Sequence, residues 1–461
     1  GTLGDFDALI ERAHGLGLRV MIDLVLSHTS AQHPWFAESR QSRDNPKSDW
    51  YVWADPNLDG TPPNNWLSIF GGSAWAWDGT RRQYYLHNFL ASQPDLNFHC
   101  EAVQDALLDV ARFWLERGVD GFRLDTINFY VHDKELRSNP ALPVEARNAT
   151  IAPDVNPYNY QDHLYDKNRP ENLAFLRRLR AVMDDYPDTA AVGEVGDAQY
   201  GLRIMGEYTA GDDLMHMCYA FDFLSPDGLN GVRVAQTLME FSDQAPDGWS
   251  CWAFSNHDVV RHASRWGLSD AAIRAHTALV LSLRGSVCLY QGEELGLTEA
   301  DVPFEALQDP YGKEFWPKFK GRDGCRTPMV WSSETSNGGF SQGTPWLPVA
   351  SEHLSKSASA QENAPGSLLN FYRQALRFRR AHPVLSKGSL SLVSATDATI
   401  TFLRETQGAR LFCAINLSDS PQQVVLPEGS WEALPALEFD VTVEGSVATL
   451  PPYAAFFAKP A

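Results

Sequence analysis

An α/β fold built on a parallel sheet, a (β/α)8 TIM-type barrel, is predicted for these 461 residues by three observations. Amphipathic helical segments alternate with short strands. The strands are apolar throughout, as expected where helices cover both faces of a sheet. Each apolar run ends in polar residues, at His28, Asp125, Glu194, Asp222, His257–Asp258 and Glu293–Glu294. In repeated βα units the functional side chains collect at the C-terminal ends of the strands, where all these polar tails fall.

The first helix is expected at Asp5–His14, with Phe6, Leu9, Ile10 and Ala13 at helical spacing. Gly15 and Gly17 lead from it into the strand LRVMIDLVLSH. A second helix, Ala102–Glu116, aligns Val103, Leu107, Val110 and Trp114 and passes Gly118 into VDGFRLD. Helix Asn172–Met183 precedes AAVGEV. HMCYAFDF, CWAFSNHD and SVCLYQGEELG continue the pattern and bring the strands to six. A barrel needs eight strands, in roughly 250 residues. The sequence opens without methionine and already inside a helical pattern, so the first two barrel strands are expected to precede it. The barrel is assigned to residues 1–29 and 99–385.

Two segments break the rhythm. Residues 30–98 read as an irregular inserted subdomain, rich in Trp35, Trp50, Trp53, Trp66, Trp75 and Trp77, in the position of an active-site wall. Most of these tryptophans are expected in the insertion's own core, with one or two lining the pocket. Residues 386–461 switch to short alternating strands (SLSLVSA, TITFLRE, RLFCAIN, QQVVLP, AAFFAK) and predict a C-terminal antiparallel β-domain. Ser332–Pro365, rich in Ser, Gly and Pro, reads as loop.

Composition narrows the function. With 44% hydrophobic and 21% charged residues the chain is an ordinary globular protein. A net charge of −20 disfavours nucleic acid and anionic membranes as partners and suits a neutral small molecule. The longest apolar run, Ala278–Tyr290, is interrupted by Arg284 and too short to span a bilayer. Six scattered cysteines without a CxxC pair point to reduced thiols and a cytoplasmic location. A monomer or small homo-oligomer without a cofactor is expected.

Within GFRLDTINF, Arg123 and Asp125 share one face of a strand. With Glu194 and Asp258, Asp125 makes three acids at strand ends. Cleaving a glycosidic bond with retention takes a carboxylate nucleophile and a carboxyl that protonates the leaving oxygen, about 5–5.5 Å apart. The Arg123 charge favours an ionised Asp125. The apolar run around Gly193 favours a protonated Glu194, suited to acid/base work. Singly, each motif has an ordinary structural explanation, an ion pair above all. Three acids, two histidines and an arginine in successive βα units are harder to explain that way. Asp55–Gly60 (DPNLDG) begins like a calcium loop, but its twelfth position is Trp66 rather than a bidentate Glu, so a turn is the better reading and no metal is expected.

These motifs resemble the α-amylase superfamily, glycoside hydrolase family 13, in its α-glucosidase/oligo-1,6-glucosidase branch. DLVLSH (Asp23–His28), GFRLDTINF, GEV and SNHD match that family's four conserved regions in order. QPDLN (Gln93–Asn97) and GRDGCRTPMVW (Gly321–Trp331) add to the likeness. The resemblance implies Asp125 as nucleophile, Glu194 as acid/base and Asp258 as transition-state stabiliser. It implies His28, His257 and Arg322 as ligands of the first glucose, Arg123 as the residue orienting Asp125, and Asp23 as its brace. Ser27 stands where the family usually has a calcium-binding Asn, so no calcium is expected there. In this branch Val after the nucleophile accompanies α-1,6 preference and Thr or Ala α-1,4 preference. Thr126 therefore points to short α-1,4-linked substrates such as maltose, while QPDLN points the other way. Phe129 is expected to shape the entry for the aglycone. Transfer to sugar hydroxyls is a further expectation. The alternatives are an oligo-1,6-glucosidase or a sucrose-acting glucosyltransferase or isomerase on the same site, and a non-catalytic, heavy-chain-like relative.

Overall fold

The computed structural model describes residues 1–435 and 437–461, and divides into two units. Residues 1–221 with 244–249 form one; residues 222–243 with 250–461 form the other. Ala436, within the expected C-terminal β-domain, lies outside the described residues.

The first unit is organised by a four-stranded parallel sheet. Its helix Leu3–Gly15 starts at Thr2, whose hydroxyl accepts the Asp5 N–H while the Asp5 carboxylate takes the Thr2 N–H. Strand β1 (Met21–Leu24) follows. The insertion is less irregular than expected. After a short helix, Pro34–Ser39, it folds β2 (Trp53–Ala54), β3 (Trp75–Asp78) and β4 (Gln83–Leu86) into an antiparallel sheet of order β2-β4-β3. Strands of two to four residues are too short for alternation to show in the sequence. Trp66 and Trp75 are buried against Val52, Ala54, Ala74 and Leu86, while Trp77 is exposed. Asp55–Gly60 ends in a turn closed by the Gly60 N–H on the Asn57 carbonyl.

Helix Glu101–Leu115 leads to β5 (Gly121–Leu124), helix Asn172–Asp184 to β6 (Ala190–Val195), and helix Gly201–Thr209 to β7 (Met217–Ala220). The sheet order is β1-β5-β6-β7, all parallel, with Asp23 beside Arg123, Leu124 beside Gly193 and Glu194 beside Tyr219. Two glycines permit this spacing. A Cβ on Gly121 would lie 1.9 Å from the Ala190 carbonyl oxygen, and one on Gly193 would lie 2.3 Å from Ile127 Cδ1 and 2.9 Å from Cys218 Sγ. A side chain at Gly121 would push against the backbone of β6, and one at Gly193 would displace the Ile127 and Cys218 side chains.

In the second unit β8 (Cys251–Trp252) and β9 (Ser286–Val287) pair in parallel on either side of helix Asp270–Ser282, which is buried on nearly all sides. Residues 332–365 are not plain loop: they hold short helical turns at Ser336–Gly339, Ser351–Lys356 and Ala358–Glu362. Leu354 and Ala358 anchor these turns on Val330 and Leu295, which composition alone does not reveal. Helix Leu368–Ala381 then leads into the antiparallel strands. These are β10 (Ser389–Ala395), β11 (Thr399–Thr406), β12 (Ala409–Asn416), β13 (Gln422–Val425), β14 (Trp431–Ala433), β15 (Thr442–Glu444), β16 (Val447–Leu450) and β17 (Ala455–Pro460). They form two sheets, β10-β11-β12-β17-β14 and β13-β16-β15. Leu403, Phe412, Leu450 and Phe456 fill the core between residues of both. Arg404 is wholly buried and donates to the carbonyls of Ser282, Leu385, Gly388 and Ser389, so its charge is met by backbone oxygens.

Candidate active site

The first unit gathers its chemistry at the C-terminal ends of β1, β5, β6 and β7. Arg123 is the hub, with its side chain 14% exposed. Nη1 donates to Asp23 Oδ1 and Oδ2 at 2.9 and 3.0 Å and to Asp125 Oδ1 at 2.5 Å. Nη2 donates to Glu194 Oε2 at 2.6 Å and to the Tyr219 hydroxyl at 2.9 Å. Burial works against this guanidinium charge, but Glu194, Tyr219, Asp125 and Asp23 together hold its pKa above the ordinary arginine value. Asp23 thus braces Arg123 across the β1–β5 register, and one cation spans Asp125 and Glu194.

Glu194 is nearly buried, with its side chain 4% exposed. Its surroundings are not the apolar ones expected from AAVGEV, because Arg123 lies against the carboxylate. Oε2 takes a second donor, the Thr126 N–H at 3.1 Å. Thr126 delivers it from a left-handed conformation, φ 42° and ψ 51°, that β-branched residues rarely adopt. Its hydroxyl donates to Asp125 Oδ2 at 3.3 Å. Phe129, in the single turn Ile127–Phe129, is 4% exposed and packs its ring against Phe89, which in turn meets the His28 ring. The Phe89 ring thus links Phe129 to His28.

The His28 imidazole is held at both nitrogens, Nδ1 by the Ser27 hydroxyl at 2.8 Å and Nε2 by the Gln93 amide nitrogen at 3.1 Å. Gln93 Oε1 accepts the Leu90 N–H, which turns its NH2 toward the ring. Nε2 is then the acceptor and the ring is neutral. Burial also lowers the His28 pKa, opposed by Asp125.

In the second unit Asp258 is the hub. Its Oδ1 accepts Arg322 Nη1 and Arg326 Nη2, both at 2.9 Å, and its Oδ2 lies 3.2 Å from His257 Nε2. Asp309 grips Arg322 with both oxygens, from Nε at 3.0 Å and from Nη2 at 2.9 Å. Burial opposes the Arg322 charge, while the bonds to Asp309 and the charge of Asp258 raise its pKa. Arg326 also donates to the His257 carbonyl at 2.7 Å. Sequence reasoning named Asp258, His257 and Arg322 but missed Arg326 and Asp309; Arg326 falls in the same GRDGCRTP stretch, four residues after Arg322. It also missed Tyr219 and Gln93. Among the described residues no group of three or more His, Cys, Asp or Glu side chains is arranged to hold a metal ion. No helix among them is long and apolar enough to cross a membrane.

Paired carboxylates at the strand ends of a parallel βα sheet are an arrangement that glycoside hydrolases use. Residues 1–388 match the catalytic-domain profile of the α-amylases. The chain belongs to the α-amylase family, glycoside hydrolase family 13, in its α-glucosidase/oligo-1,6-glucosidase branch. It is 62% identical over 463 residues to a probable α-glucosidase of Rhizobium meliloti (strain 1021), covering all of this chain and 84% of that one. It is 33% identical to an oligo-1,6-glucosidase of Heyndrickxia coagulans, over 94% of this chain and 82% of that one. Among solved structures, the α-glucosyl transfer enzyme XgtA superposes with a TM-score of 0.96 at 50% identity, over all of this chain and 86% of that one. The trehalulose synthase MutB of Pseudomonas mesoacidophila MX-45 gives 0.85 at 28% identity, with the same coverage. The fold is accordingly the TIM barrel of the α-amylase family with a C-terminal antiparallel sheet domain.

Proposed function

We propose that the chain is a retaining α-glucosidase that releases glucose from short α-1,4-linked oligosaccharides. The observation carrying this reading is the Arg123 bridge, one guanidinium that donates to both Asp125 and Glu194 at adjacent strand ends. In the first step an Asp125 oxygen bonds to the anomeric carbon. The glycosidic C–O bond breaks, and its electron pair stays on the leaving oxygen, which takes the proton of Glu194. In the second step the Glu194 carboxylate takes a proton from water, whose oxygen replaces Asp125 on the anomeric carbon. Asp258 keeps the role the resemblance implies, favouring the oxocarbenium-like state, and His28, His257 and Arg322 that of hydrogen-bonding glucose. The domain division into residues 1–29 with 99–385, 30–98 and 386–461 is part of the same proposal.

Thr126 after the nucleophile supports the α-1,4 preference, and the similarity to XgtA and MutB supports transfer as a second reading, in which a sugar hydroxyl takes the place of water. Hydrolysis of p-nitrophenyl α-glucoside by the wild type and Asp125→Asn tests the first. A drop of at least about 10³-fold in kcat is expected, as for loss of a nucleophile; equal rates would overturn the mechanism. Product analysis with maltose, isomaltose and sucrose separates glucose release from transfer and isomerisation.

A further inference from the structure

The turn that follows Asp125 is built around the strand end that carries Glu194. The β5–β6 ladder stops at the pair Leu124 and Gly193, one residue short of both acids. Beyond it, three consecutive residues of the turn take over. A Cβ on Gly193 would lie 2.3 Å from Ile127 Cδ1, and one on Gly196 would lie 3.4 Å from Phe129 Cε2. Between these two contacts Asn128, wholly buried, grips the Gly196 backbone at both of its polar groups. Its Oδ1 accepts the Gly196 N–H at 3.0 Å, and its Nδ2 donates to the Gly196 carbonyl at 3.1 Å. The side-chain amide thus stands in for one more rung of the ladder. Nδ2 also donates to Asn168 Oδ1 at 2.8 Å, and the Asn168 N–H donates to the Asn128 carbonyl at 2.8 Å. The segment bearing Glu194 is therefore tied to β5 and its turn on both sides of the acid, by the ladder at Gly193 and by Asn128 at Gly196.

We propose that Asn128 is a positioning residue for the acid/base: by pairing with both backbone groups of Gly196 it fixes where Glu194 stands relative to the nucleophile on β5. This rests on the reading of Glu194 as the acid/base and Asp125 as the nucleophile. The bond set asks for a primary amide, because one short side chain must supply an acceptor and two donors. Ionised aspartate offers acceptors alone, and leucine offers neither. Lys167 is a second donor to the Gly196 carbonyl, Nζ at 2.8 Å, and its charge is met by Asp197 at 3.3 Å. The Gly196 oxygen therefore keeps an anchor when Asn128 is changed. What is lost is the paired link between the Gly196 peptide and the turn after β5. Retaining cleavage needs the two carboxyls about 5–5.5 Å apart, and a misplacement of about 1 Å costs on the order of 10²-fold in rate.

The test compares Asn128→Ala and Asn128→Asp with the wild type and Glu194→Gln, in kcat/KM for maltose and for p-nitrophenyl α-glucoside. The sugar leaving from maltose needs a proton, whereas nitrophenolate leaves largely without one. A misplaced acid therefore costs maltose more, while a loosened fold or a displaced nucleophile costs both substrates alike. For Asn128→Ala the maltose value is expected to fall at least about 30-fold, and the ratio of the nitrophenyl value to the maltose value to rise at least about tenfold. Asn128→Asp fills the same space and keeps an acceptor for the Gly196 N–H; it is expected to raise that ratio at least about threefold, and serves if the alanine variant does not fold. A ratio unchanged from the wild type in a folded variant, with Glu194→Gln inactive on maltose, would overturn this inference alone. Failure of both variants to fold would assign Asn128 to the fold and overturn it as well. A Glu194→Gln enzyme as active as the wild type on maltose would overturn the acid/base reading and the inference with it.

Discussion

Thr126 donates its backbone N–H to Glu194 while its own φ is 42°. A β-branched residue held in the left-handed region costs about 1–3 kcal/mol, which the surrounding packing must offset. Thr126→Gly keeps the N–H and removes the steric cost. It is expected to equal or exceed the wild type in urea-melt stability, the added chain entropy of glycine notwithstanding. A loss greater than about 1 kcal/mol would show that the Thr126 hydroxyl, not the N–H, holds this turn.

The same position tests linkage preference. Thr126→Val removes the hydroxyl that meets Asp125 Oδ2 and places a methyl there. The ratio of kcat/KM for maltose to that for isomaltose is expected to fall at least tenfold. An unchanged ratio would remove Thr126 as the residue that reads the linkage.

Arg123 cannot be replaced by another cation. Lysine offers one nitrogen, which cannot reach Asp23, Asp125, Glu194 and Tyr219 together. Arg123→Lys is expected to lower kcat at least 100-fold and stability by about 3 kcal/mol, as for other broken buried pairs. Steady-state kinetics and chemical melts measure the two.

Asp258 is held by two arginines on one oxygen, so their losses should not add. A double-mutant cycle with Arg322→Lys and Arg326→Lys, read in kcat/KM, is expected to give a coupling of about 1 kcal/mol or more. Additive effects would mean that the two guanidinium groups act on separate partners.

Asp95 sets a pH dependence of stability. Burial pushes its carboxyl up to about 7, against the bonds from Asn88, while in the unfolded chain it titrates near 4. The contribution is therefore fully present below the unfolded value and lost as pH rises toward 7. Asp95→Asn does not titrate, and is expected to gain on the wild type by about 1 kcal/mol per pH unit between pH 5 and 7. Urea melts at both values give the difference; a constant difference would overturn the assignment.

Much of this architecture was legible before any coordinates. AAVGEV is a strand over its full length, and helix Asn172–Asp184 begins at the expected residue. LRVMIDLVLSH shrinks to four strand residues, because the backbone leaves the sheet after Leu24 so that His28 can bridge to Asp95. The acids at the strand ends announced themselves through their apolar flanks. Their neutral partners did not. Tyr219 lies 96 positions from Arg123 in a strand where an aromatic needs no special reason, and Gln93 lies 65 from His28. Hydrophobic periodicity reports which face of an element is buried; it is silent on which hydrogen bond a buried polar tip will make. The three short strands β14, β15 and β16 escaped for another reason: with three or four residues each, they carry too few alternations to register.

Gly193 has a consequence for redesign. With Ile127 and Cys218 closing on it from both sides, the floor beneath Glu194 has no room for even one added carbon. A side chain at position 193 would have to displace the Ile127 and Cys218 side chains packed there. Position 193 is accordingly not a place to make room for a bulkier acceptor.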